Sequence, residues 1–171
     1  VTANIPGTYR VTYTAKDSAG NTSKLVMTVI VVDTTGPTIS KVEGNPSNWT
    51  NQNATLKVTA EDLVSGIKEY SFDNGGSWQT SNEKTFEENQ TVIILVKDNK
   101  GNISEPYEVI IAKIDKEPPV IKIDGCTNAG NCTIQVEATK DKYTIPGATV
   151  TDNASTNITV SKSGSVTASL P

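Results

Sequence analysis

The sequence predicts an all-β protein made of tandem antiparallel β-sandwiches, and three features point to it. Segments recur at a near-constant offset, short runs alternate apolar with polar residues, and turns rich in Gly, Asn and Pro separate those runs. Lys16-Asp17-Ser18-Ala19-Gly20-Asn21 returns 81 positions on as Lys97-Asp98-Asn99-Lys100-Gly101-Asn102. Asp33-Thr34-Thr35-Gly36-Pro37-Thr38-Ile39 returns 82 positions on as Asp115-Lys116-Glu117-Pro118-Pro119-Val120-Ile121. The first six residues, Val1 to Pro6, are nearly repeated by the last six, Val166 to Pro171, two such units later. A period of this length exceeds a solenoid turn, so each unit needs its own core. The chain then holds one complete module at 34–116, flanked by the C-terminal half of a module at 1–33 and the N-terminal half at 117–171.

Thr8 to Lys16 alternates strictly, with Tyr9, Val11, Tyr13 and Ala15 on one face and Arg10, Thr12, Thr14 and Lys16 on the other. That is a half-buried strand. Asp17 to Asn21 supplies a turn, and Lys24 to Val32 returns as the partner strand. The same hairpin is expected from Val92 to Lys97 through Asp98 to Asn102 and back along Tyr107 to Ile114. Thr38 to Glu43, Ala54 to Glu61 and Ile67 to Phe72 read as further strands. Their breakers are Asn45-Pro46-Ser47-Asn48, Asp62 to Gly66, and the hairpin signal Asp73-Asn74-Gly75-Gly76. About seven strands are expected in the complete module. An acidic residue followed by proline leads into each unit, restricting φ where one module hands over to the next. Stiff joints suit a stalk better than flexible linkers do.

Composition narrows the function. Only 35% of residues are apolar and 5% aromatic, which fits thin cores and sheets with one wet face. A net charge of -4 and the lack of any basic run argue against nucleic acid as a partner. No apolar run approaches the roughly 20 residues that span a bilayer, so membrane insertion is not expected. The chain has no histidine, which removes Ser/His/Asp and Cys/His nucleophiles and histidine metal ligands. The adjacent carboxylates Glu61-Asp62 and Glu87-Glu88 would point to opposite faces of a strand, unlike a glycosidase pair across a cleft. No enzymatic activity is expected here. The two cysteines, Cys126 and Cys132, flank a Gly/Asn-rich tip and are expected to form a hairpin disulfide, worth about 2 kcal/mol in the chain-entropy model.

The stretch Ile5-Pro6-Gly7-Thr8-Tyr9-Arg10-Val11-Thr12-Tyr13-Thr14-Ala15-Lys16-Asp17-Ser18-Ala19-Gly20-Asn21 resembles the last hairpin of bacterial immunoglobulin-like repeats, which are related to hyalin-repeat modules of extracellular proteins. Tyr143-Thr144-Ile145-Pro146-Gly147-Ala148-Thr149-Val150-Thr151-Asp152-Asn153 resembles the early strands of the same kind of module. The middle unit, through Ala60 to Ile67 and Tyr70 to Trp78, is similar to the immunoglobulin-like repeats of bacterial surface proteins and secreted hydrolases. The resemblance implies tandem immunoglobulin-like sandwiches located outside the cell, on a bacterial surface or secreted.

Calcium is the one candidate cofactor. Asp33 and Asp115 at the joints, with Asp17, Asp98 and Asp62 in turns, offer the oxygen donors that calcium prefers. Trp49, Trp78 and Tyr70 form a candidate platform for a carbohydrate ligand, against a reading in which they pack on the sheets. The expected function is a structural spacer or fibre-forming repeat whose partners are neighbouring modules of the same protein or identical subunits, with residues 1–33 completing residues 117–171 of a neighbouring copy. The alternatives are an adhesin module for carbohydrate or host protein, or an accessory domain of a secreted hydrolase.

Overall fold

The computed structural model describes residues 5–126, 130–135, 143–164 and 166. The loop tip at 127–129 and the outer parts of the terminal repeat, 1–4 and 167–171, lie outside the described residues. Every regular element among the described residues is a β-strand, paired antiparallel with its neighbours. None of them is a helix long and apolar enough to cross a membrane. The chain divides into two compact units, one ending at Ile114 and the other starting at Asp115.

The first unit opens with a hairpin of β1 (Gly7–Lys16) and β2 (Thr22–Val31) in unbroken register. At its turn the Asn21 backbone N–H donates to Asp17 Oδ1 and Asn21 Nδ2 donates to Asp17 Oδ2, each at 2.8 Å. These bonds hold the Asp17 carboxyl below its ordinary range, the side-chain bond from Asn21 contributing most.

We call the rest of the same unit, from 34 to 114, the module; the division into units places it together with the hairpin and does not separate the two at 33/34. Its strands are β3 (Thr38–Glu43), β4 (Ala54–Glu61), β5 (Ile67–Ser71), β6 (Glu83–Phe86), β7 (Gln90–Asp98) and β8 (Tyr107–Ile111). They form two three-stranded sheets, β3-β4-β6 and β5-β7-β8. The module therefore has six strands where about seven were expected. Alternation sorts the faces: Ala54, Leu56 and Val58 of β4 and Val92, Ile94 and Val96 of β7 are buried, and intervening residues such as Thr55 and Lys57 are exposed. Val109 and Ile111 of β8, with Phe72, Phe86 and Ile114, join them in one core.

Two details bear on how the module is built. The Asp73-Asn74-Gly75-Gly76 signal does turn the chain, with Asn74 at φ 56°. It closes only one antiparallel bridge, Tyr70 to Gln79, before β6 crosses to the other sheet. At the β3–β4 connection, Gly44 has φ +88°, and a Cβ there would stand 1.8 Å from Thr55 O. Glycine is the residue that fits both demands.

The second unit contains β9 (Val120–Ile123) paired with β10 (Ala148–Thr151), and the Cys126–Cys132 disulfide is formed, with Cα atoms 5.6 Å apart.

Candidate metal centre

Three aspartates from separate parts of the first unit meet at one end of the module. Asp33 precedes β3, Asp62 follows β4, and Asp98 ends β7. One carboxylate oxygen from each lies within 4.8 Å of the other two. Calcium binds oxygen at roughly 2.4 Å, so two of its ligands stand at most about 4.8 Å apart. The three carboxylates satisfy that limit.

Local turns aim each group. Asp62 Oδ1 accepts the backbone N–H groups of Val64, Ser65 and Gly66 at 3.0, 2.7 and 3.2 Å. The Ser65 bond leads in pulling its carboxyl below the ordinary range, while the neighbouring Asp98 charge pushes the other way. Asp98 is fully buried. Burial pushes its carboxyl up, but donors from Ser65 Oγ, Asn102 Nδ2 and the Asn102 and Lys100 N–H groups outweigh it and bring it down to about 2. Asp33 Oδ1 accepts from Thr35 N and Thr35 Oγ1. Asp33 Oδ2 is buried and has no hydrogen-bond partner.

The chemistry of this donor set fits a hard cation. Asp62 and Asp98 are both held toward the ionised form, and none of the ion pairs among the described residues includes any of the three aspartates. Gathering like charges without a counter-charge is costly, and a buried oxygen with no donor is costly too. A divalent cation bound to oxygen would relieve both.

Of the five aspartates singled out in the sequence, the structure brings together Asp33, Asp62 and Asp98. Asp17 stays at the tip of the β1–β2 hairpin, bonded to Asn21. Asp115 Oδ1 accepts the Glu117 N–H at 3.1 Å. Two polar residues in the centre were not anticipated. Ser65 bridges Asp62 and Asp98, and Asn102 donates to Asp98 and, at 3.3 Å, to the Asp33 carbonyl. Their signal in the sequence is the spacing Asp62-x-x-Ser65 and Asp98-x-x-x-Asn102.

The aromatic trio is placed differently. Tyr70 and Trp78 are half-buried, and Tyr70 leans on the core. The Lys97 ammonium lies 3.6 Å from the centre of the Trp78 ring. Trp49 is half exposed in the loop before β4. Among the described residues the one close ring pair is Phe72 with Phe86, not a pair from this trio.

No family model, no curated protein and no solved structure matches this chain.

Proposed function

We propose that this chain is a length of extracellular spacer, in which immunoglobulin-like β-sandwich modules follow one another through joints stiffened by calcium. The observation that carries this reading is the way the segment 33–37 is fastened to the module it enters. Asn102 holds the Asp33 carbonyl, Pro37 is buried, and a Cβ on Gly36 would fall 2.2 Å from Ile103 O. The Asp33 side chain, meanwhile, meets Asp62 and Asp98 of the module. A segment held at its backbone, its proline and its carboxylate passes the direction of β2 on to the sandwich. Calcium bound by Asp33, Asp62 and Asp98 would link the segment to both loops at once, each ligand on a different stretch of chain. Extracellular modules bind calcium with dissociation constants of about 0.1–1 mM, and an extracellular setting allows the Cys126–Cys132 disulfide to persist.

The test is calcium titration of the full chain by calorimetry, with thermal unfolding in parallel. The expected result is binding at one site and a rise in midpoint, both lost in Asp62→Asn. Heats equal to buffer dilution and an unmoved midpoint would refute the calcium-stiffened joint.

A further inference from the structure

We propose that the module is built to carry tension along the chain, and that a short parallel seam between segment 45–50 and residues 110–114 at the end of β8 is the lock that tension must break. The inference deepens the spacer reading given above, which is what gives tension a source.

It starts from where the chain enters and leaves the module. Asp33 meets Asp98, the last residue of β7, and Asn102 holds the Asp33 carbonyl. Ile114 is gripped at the other end of the same strand, just before β7 begins. There Asn89 Nδ2 donates to the Ile114 carbonyl and Asn89 Oδ1 accepts the Ile114 N–H, both at 2.8 Å. Entry and exit therefore lie at opposite ends of β7, a strand of 9 residues and roughly 30 Å. Tension between them runs along the strands rather than across them.

Segment 44–50 crosses from one sheet to the other. β3 pairs with β4 in the first sheet. Gly44 follows, so close to Thr55 O that a Cβ would not fit, and the chain then reaches β8 in the second sheet. Asn45 Nδ2 donates to Ile110 O at 3.0 Å, the Lys113 ammonium donates to Ser47 O, and the Thr50 N–H donates to Lys113 O at 3.0 Å. Partners rise together in number, so the two stretches run parallel, as does the bridge between Thr50 and Ile114. The named strands of the module pair antiparallel throughout.

Direction decides how the load is shared. Tension draws 45–50 back through β3 and draws 110–114 forward toward Asp115. In a parallel pair these displacements oppose each other along the strands, so the seam's bonds stretch together in shear. An antiparallel hairpin pulled at its two free ends opens one bond at a time instead. β3 is not the lock, because it contributes only Ile39 and Val42 at the margin of the core, and its release leaves the core closed. Ile114 is different: it is 6% exposed and belongs to the core, so sliding the seam drags an apolar side chain out of the interior while backbone bonds break.

The experiment is constant-force unfolding of the full chain, tethered at its two ends, in EDTA, so that the outcome does not depend on calcium at the joint. Opening of the module is recognised by release of 38–114, whose extended length is roughly 250–280 Å. Asn45→Ala with Thr50→Pro removes two seam bonds, and Asn45→Ala alone removes one, from an exposed side chain. Thr85→Ala removes the Thr55–Thr85 hydroxyl bond between β4 and β6 and is the control off the seam. Chemical unfolding rates of each variant supply the zero-load reference, and amide exchange at Leu56 and Ile94 verifies folding. Under load the double variant is expected to open at least about tenfold faster than wild type, and Asn45→Ala about threefold faster, since forced unfolding is governed by the barrier these bonds support. Both increases should exceed the same variant's increase in chemical unfolding rate, whereas Thr85→Ala should change the two rates by equal factors. Seam variants that open under load as slowly as wild type, or whose loaded and chemical rates rise by equal factors, overturn the proposal. If the double variant does not fold, Asn45→Ala decides alone. An absence of calcium binding with the seam effect intact would instead fault the stiffened joint alone.

Discussion

Replacing Gly36 with alanine isolates the joint from the module it serves. Gly36 does not occupy the left-handed region, so the penalty argued for alanine is the steric one. The new methyl carbon would stand 2.2 Å from Ile103 O and 2.5 Å from Ile103 C. Relief to an ordinary contact requires roughly 1 Å of separation between segment 33–37 and the β7–β8 loop. The Asn102 Nδ2 bond to Asp33 O is already 3.3 Å long, so that shift breaks it. The loss of one such bond costs about 0.5–1.5 kcal/mol, and any residual overlap adds about 1–3 kcal/mol. The core around Leu56 and Ile94 is untouched, so the module stays folded. The Asp33 carboxylate is drawn away from Asp62 and Asp98, and calcium affinity is expected to fall at least about tenfold. Residual dipolar couplings provide the assay: in wild type with calcium, β1–β2 and β3–β8 share one alignment tensor, and in Gly36→Ala they do not. A shared tensor and unchanged calcium affinity in the variant would refute the argument that segment 33–37 is clamped.

Other perturbations test other links. Leu56→Ala empties the middle of the core and is expected to cost about 2–5 kcal/mol, read as a fall in the midpoint of chemical unfolding. Gly44→Ala combines a left-handed φ with a contact 1.8 Å from Thr55 O, so it should destabilise the module by more than about 2 kcal/mol and broaden the β3–β4 resonances. Asp73 is held far below the ordinary carboxylate range, first by Ser77 Oγ, then by the Ser77 N–H and Ser71 Oγ. Its depressed folded value means that its stabilising contribution is present in full above the ordinary value of 3.8 and is lost as pH falls through the folded one. In a carboxyl-carbon NMR titration, Ser77→Ala should move the Asp73 midpoint up toward 3.8. Opening Cys126–Cys132 by double serine substitution is expected to cost the second unit about 2 kcal/mol and leave exchange rates in 34–114 unchanged.

The strands were largely legible because their chemistry is local. Alternation placed β3 and β4 at their observed limits and the other long strands to within a few residues. Asp-x-x-Gly-Asn marked both hairpin turns. β6 was not visible, since Glu83-Lys84-Thr85-Phe86 offers one apolar residue, and only its pairing with β4 and the burial of Phe86 make it a strand. The split between sheets was hidden for a similar reason. The Asn74-Gly75 turn signals a hairpin, and nothing local says that the hairpin ends after one bridge and sends β6 to the opposite layer.

By itself the sequence determined the alternating faces of the long strands and the aspartate-led turns between them. The tertiary structure alone decided which of those aspartates meet. Asp17 and Asp98 sit in turns with the same hydrogen bonds, yet Asp98 is fully buried beside Asp33 and Asp62 while Asp17 is exposed. A turn is fixed by a handful of neighbouring residues. A cluster drawn from positions 33, 62 and 98 exists only where two sheets close on a common core and bring three distant loops to one end.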